Sequence, residues 1–106
     1  MALNVLTDEQ FGQHLSTHEW VLVKYYADWC GNCKLIAPKI RRMSEDETHA
    51  SISFVDVNAE ENPQARQLAG VDNLPFFALF HQGKLVEGMA ASKIEAVEAL
   101  VKRHLA

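Results

Sequence analysis

Trp20-Val21-Leu22-Val23-Lys24-Tyr25-Tyr26-Ala27-Asp28-Trp29-Cys30-Gly31-Asn32-Cys33-Lys34 is the stretch that decides how this chain folds and where its chemistry lies. It opens as a dense apolar run, VLVKYYA, which fits a strand buried on both faces. It closes on the only two cysteines of the chain, separated by two residues. A disulfide stabilises a fold mainly by closing a long loop of the unfolded chain, and a loop this short closes little. The pair is better suited to reversible dithiol/disulfide chemistry than to holding the fold together.

Working outward, Thr7-Asp8-Glu9-Gln10 reads as a capping box that opens a first helix, with Phe11 and Leu15 on one face. A second helix starts at the cysteines and is expected to carry Leu35, Ile36, Ile40 and Met43 inward, with Pro38 kinking it. Ile52 to Val57 alternates as a strand. Asn62-Pro63 places a cap and a first-turn proline before a short helix that ends at Gly70. Phe76 to Phe80, the turn His81-Gln82-Gly83-Lys84, and Leu85 to Gly88 read as a β-hairpin. Ser92-Lys93-Ile94-Glu95 is a further capping box, opening a last helix with Ile94, Val97, Leu100, Val101 and Leu105 on its inner side. The order βαβαβαββα implies an α/β protein, a central sheet covered by helices on both faces. The strand ending at Ala27-Asp28 then presents the cysteines at its carboxyl end, where open α/β sheets place their sites.

Bulk properties set limits. With 106 residues the chain reads as a single domain, 1–106, large enough for one core. A net charge of −4 supplies no basic patch for nucleic acid. No stretch reaches the roughly 20 apolar residues that cross a bilayer, and Met1 to Gln10 lacks the basic and apolar regions of a signal peptide. A cytoplasmic, reducing location is the resulting expectation, where a CxxC is catalytic or metal-binding rather than structural. Zinc needs four ligands, and no second CxxC or paired His/Cys cluster exists. His14 and His18 read as an exposed polar helix face, and His49, His81 and His104 as surface positions. No metal or other cofactor is expected, and a monomer is the expected state.

Ala27-Asp28-Trp29-Cys30-Gly31-x-Cys33-Lys34, with Pro38 five residues beyond the second cysteine, resembles the signature of the thioredoxin family. Val55-Asp56-Val57-Asn58, Asn62-Pro63, Leu74-Pro75, Gln82-Gly83-Lys84 and Gly88 extend the likeness end to end. The resemblance implies a thioredoxin fold: a central mixed five-stranded sheet flanked by four helices. It implies a thiol–disulfide oxidoreductase acting on disulfide-containing proteins, recycled by a reductase or a glutathione-type donor. Trp29 corresponds to the family's exposed tryptophan beside the nucleophile. Pro75 corresponds to its cis-proline, and the backbone of Leu74 to the segment that pairs with an extended substrate. Tyr25, Tyr26, Phe76, Phe77 and Phe80 are read as core aromatics.

A thiolate is the attacking species, and Cys30 at a helix start gains from free N–H groups and the positive dipole end. Cys30 is therefore the expected nucleophile. Cys33, expected to lie deeper, then attacks Cys30 and releases the reduced substrate. Three positions depart from the family pattern. Asn32 stands where proline is usual beside Gly31. Lys24 stands where the family keeps a buried aspartate, the proton acceptor for the second cysteine, and Phe54 where a lysine usually neighbours it. On this reading an acid/base pair has become a lysine and an aromatic, with Asp28 and Asp56 as fallback acid/base groups. Lys24 is then a candidate for tuning the thiol pKa. An ammonium that stabilises the reduced thiolate raises the potential, here to between about −270 and −180 mV. The alternative function is a redox-responsive adaptor with little turnover, favoured only by the missing aspartate.

Overall fold

The computed structural model describes residues 3–105. They run β1 (Leu3–Val5), α1 (Asp8–Thr17), β2 (Trp20–Tyr26), α2 (Gly31–Glu45), a single 3-10 turn (Glu47–His49), β3 (Ile52–Asn58), α3 (Pro63–Ala69), β4 (Phe76–His81), β5 (Lys84–Ala90) and α4 (Ile94–Leu105). The strands form one sheet in the order β1-β3-β2-β4-β5. β1, β3 and β2 run parallel, whereas β4 and β5 are antiparallel to their neighbours. The expected mixed five-stranded sheet and the element order are both present.

The period-2 alternation of β2 divides the core. Val21, Val23 and Tyr25 face α1 and α3, where they meet Phe11, Leu15, Ala65 and Ala69. Leu22 faces α2 and α4, among Ile36, Ile40, Leu79, Val97 and Leu100. Five consecutive residues of β2 are buried. Each fully buried large apolar side chain contributes about 1.5–3 kcal/mol relative to exposure. This strand therefore anchors the sheet, and its carboxyl end is a rigid place for a site.

Five local expectations need correction. Leu35 is exposed, not inward: Cys33, Ile36, Ile40 and Met43 follow one helical stripe, and Leu35 lies about 100° away from Ile36 around the axis. Asn62 occupies the N-cap of α3 but does not cap it with its side chain. Its Oδ1 accepts from the Asp8 N–H at 2.8 Å, while Asp8 accepts from the N–H groups of Gln64 and Ala65 at 3.1 and 2.8 Å. α4 starts at Ile94, one residue later than a Ser92 cap would set it, with the Lys93 carbonyl accepting from Ala96 N–H. Tyr26 is only half-buried. The hairpin is longer than its sequence suggests, and Gln82 and Gly83 make its two-residue turn with φ of 52° and 84°, the left-handed pair that such a turn requires.

Candidate active site at the carboxyl end of β2

Beyond Tyr26 the chain turns through Ala27, Asp28 and Trp29 into α2, and Cys30 is the N-cap of that helix. The Cys30 N–H donates to the Ala27 carbonyl at 3.1 Å, which fixes the turn. Cys30 and Cys33 are joined in a disulfide, and the Cys33 N–H donates to Cys30 Sγ at 3.1 Å. Cys33 is not the deeper of the two: both cysteines are 4% exposed. The bond draws the two sulfurs into one small apolar cluster with Ala27, against which Tyr26 and Leu74 pack. Gly31 and Asn32 are exposed on the first turn, which holds no acidic residue to oppose a negative sulfur.

Around this point the fold gathers distant residues. Trp29 is 67% exposed, and its indole Nε1 donates to Glu60 Oε2 at 2.6 Å. The Leu74–Pro75 peptide is cis. Pro75 is buried and its carbonyl accepts from Ala91 N–H at 3.1 Å. Glu60 was not legible as a site residue. It is 31 residues from Trp29 and reaches it only because β3 pairs with β2 so that Asn58 lies opposite Tyr26.

Lys24 is 5% exposed. Strand register sets it opposite Asp56, and Lys24 Nζ lies 3.4 Å from Asp56 Oδ2. The expectation that an acid/base pair had become a lysine and an aromatic is overturned. Phe54 is wholly buried in the core under α2 and α4, and the carboxylate facing Lys24 is Asp56, one alternation further along β3. Both charges are present, the cation on β2 and the anion on β3. They share a cavity of about 210 Å³ with Cys33, Tyr26, Asp28 and Lys34. Burial pushes the Asp56 carboxyl above its ordinary value, with Lys24 pulling the other way. Burial, then the charge of Asp56, raises the Tyr26 hydroxyl.

The Thioredoxin family model matches residues 2–103. Thioredoxin-1 of Schizosaccharomyces pombe is 30% identical over 105 residues, covering 99% of this chain and 100% of that one. Thioredoxin of Bacillus subtilis is 32% identical over 106 residues, with 99% and 100% covered. Thioredoxin-2 of Pyricularia oryzae is 35% identical over 98% of this chain, which spans 60% of that protein's length. Among solved structures, Malassezia sympodialis thioredoxin superposes with a TM-score of 0.89 at 25% identity, covering 100% of this chain and 96% of the other. The chain belongs to the thioredoxin family. It is a thiol–disulfide oxidoreductase whose redox pair is Cys30–Cys33.

The remaining candidates stand apart from the pair. Among the described residues no group of three or more His, Cys, Asp and Glu side chains is placed to hold a metal ion. His14 donates to or accepts from Ser53 Oγ at 2.8 Å and stacks on His18 at 3.9 Å between ring centroids. Among the described residues no helix is long and apolar enough to cross a membrane.

Proposed function

We propose that this protein reduces protein disulfides, with Cys30 as nucleophile and Cys33 as resolving thiol. The observation that carries the reading is the position of Cys30 Sγ, which accepts an N–H of the first turn of α2. A thiolate there gains a hydrogen bond and the positive end of the helix. Cys30 attacks one sulfur of the substrate disulfide, and a mixed disulfide forms as the first substrate thiolate leaves. Cys33 then attacks Cys30, the Cys30–substrate bond breaks, and the second substrate thiol is released. Trp29, Gly31 and Asn32 offer an exposed face to the substrate. The backbone of Leu74, before Pro75, pairs with an extended substrate segment.

The disulfide left on the protein is returned to the dithiol by a reductase or a glutathione-type donor. A monomer working in the cytoplasm is our reading, since a dithiol must be kept reduced to turn over. The adaptor alternative loses its support, because the carboxylate that seemed absent is supplied by Asp56.

Insulin-disulfide reduction followed by turbidity tests the proposal. Wild-type protein should accelerate reduction by dithiothreitol, and Cys30→Ser should abolish the acceleration. Wild-type protein no faster than dithiothreitol alone would favour the adaptor.

A further inference from the structure

The outer face of α2 begins beside the disulfide and is open to solvent. Leu35 on that face is 72% exposed, the most open large apolar side chain among the described residues. It lies four residues on from Gly31 and three on from Asn32, so all three share one side of the helix, next to Cys30 at the N-cap. One and two turns further along the same side come Lys39 and Arg42, both exposed. In a chain of net charge −4, α2 holds four of the ten Lys and Arg residues and one of the fourteen Asp and Glu residues. Lys34 lines the cavity with Asp56, and the charge of Arg41 acts on that carboxylate. Lys39 and Arg42 form no ion pair among the described residues; the pairs present use Lys24, His81, Arg103 and His104. Asp46, Glu95 and Glu98 line a cavity with them at the far end and bound the basic stretch there.

Resting on the reading of Cys30 as the attacking sulfur, we infer that this face of α2 is a docking track for protein substrates that carry an apolar residue and then an acidic segment beside their disulfide. Two features fix the occupant. The track is continuous with the disulfide, so a segment lying on it is joined to the sulfur under attack. Its cations favour carboxylates, and the other side of the disulfide repels them. There Glu60 holds the Trp29 indole, and the charges of Asp28 and Glu61 reach the Tyr26 hydroxyl. An acidic segment is thereby steered onto α2 and away from Trp29. A helix rises about 1.5 Å per residue, which sets Leu35 about 7 Å and Arg42 about 18 Å from Cys30 along the axis. An extended segment advances about 3.3 Å per residue. Its apolar residue then falls about two positions from the reacting cysteine, and its acidic residues about four to six.

Single-turnover reduction of designed peptides tests the track. Reduced protein, with no recycling enzyme present, is mixed with disulfide-linked peptide dimers carrying Leu and a run of Glu at those spacings. The run precedes the cysteine in one peptide and follows it in another, and Gln or Lys replaces Glu in the controls. Neutral 2-hydroxyethyl disulfide is the substrate that meets the sulfurs alone. One of the two acidic peptides should be reduced about tenfold faster than its Gln counterpart at low salt, and the advantage should vanish at about 0.5 M salt. Lys39→Glu combined with Arg42→Glu should remove that advantage and transfer it to the Lys peptide. Leu35→Ser should slow the acidic peptide about fivefold, with no slowing when the peptide Leu is also replaced by Ser. All of these side chains are exposed, so every variant should reduce the neutral disulfide within about twofold of wild type.

Equal rates for the Glu and Gln peptides overturn the inference, as does a charge-reversed variant that keeps the preference. Slowing of the neutral disulfide in step with the peptides overturns it too, because the effect then lies at the sulfurs and not in docking. Unchanged peptide rates with slower recycling by an added disulfide reductase would assign the face to the reductase instead. A dimer in sedimentation that the charge-reversed variant abolishes would assign it to a second copy, and either result overturns the inference. Wild-type protein that fails to reduce even the neutral disulfide sinks the oxidoreductase reading itself, an outcome distinct from all of these.

Discussion

At the scale of single residues, Cys33 and the ion pair of Lys24 and Asp56 line one cavity. Lys24 and Asp56 are nearly neutral as a unit, yet the cation is the group that favours a reduced, negative sulfur. Lys24→Met should therefore lower the reduction potential of the Cys30–Cys33 pair, by roughly 30 mV or less, equivalent to a tenfold change in the exchange constant. Equilibration in glutathione buffers, followed by the fluorescence of the adjacent Trp29, measures it. A rise would show that the ammonium does not act on the thiolate. Cys30, Cys33, Trp29 and Pro75 were legible from the sequence because each sits in a local signature. Asp56 was visible there only as a fallback, since a carboxylate on an alternating strand reads equally well as a solvated one. Its pairing with Lys24 is a matter of register between two strands.

At the scale of elements, α1 and α3 hold each other by their N-termini. Asp8, in the first turn of α1, accepts two N–H groups of α3, and Asn62, at the N-cap of α3, accepts the Asp8 N–H. Tyr25 adds a third tie, its hydroxyl donating to the Ala65 carbonyl at 2.8 Å. Asp8→Ala leaves two first-turn N–H groups of α3 without their acceptor and should cost about 1–2 kcal/mol. For a domain of this size each kcal/mol lowers Tm by roughly 4–8 °C. Thermal unfolding by circular dichroism measures the loss, and insulin reduction at 25 °C should be unaltered. An unchanged Tm would show that solvent caps α3 as well as Asp8 does. The residue types at both helix starts pointed to local caps. The structure connects them reciprocally instead, because α1 and α3 lie side by side on one face of the sheet.

At the scale of the whole molecule, α4 closes the far face and is pinned to the edge strand β5 through Glu87. Glu87 accepts from Arg103 Nη2 at 2.7 Å and lies 2.9 Å from His104 Nε2. The Arg103 hydrogen bonds, then that of His104, hold the Glu87 carboxyl below its ordinary value of 4.5. A carboxyl depressed by folding stabilises the folded state above its unfolded pKa, and that contribution is lost as pH falls through the folded value. Glu87→Gln should thus lower the urea midpoint near neutral pH and leave it close to wild type in strong acid. High salt should shrink the difference at neutral pH. A difference that persists in acid would place the role of Glu87 in packing rather than charge.

The sequence by itself determined the architecture and the reactive pair. A strand buried on both faces, helices with one apolar stripe, and glycines at a helix end and a hairpin turn are local patterns with few ways to assemble. The tertiary structure alone decided what surrounds the sulfurs. Glu60 at the Trp29 indole N–H, Leu74 against the disulfide and Asp56 against Lys24 are contacts between residues 31 or more positions apart. Their partners are set by strand register and sheet order, which periodicity does not encode. The exposure of Leu35 and the burial of Lys24 have the same origin. Each follows from which neighbour covers a face, and only the packed sheet supplies that neighbour.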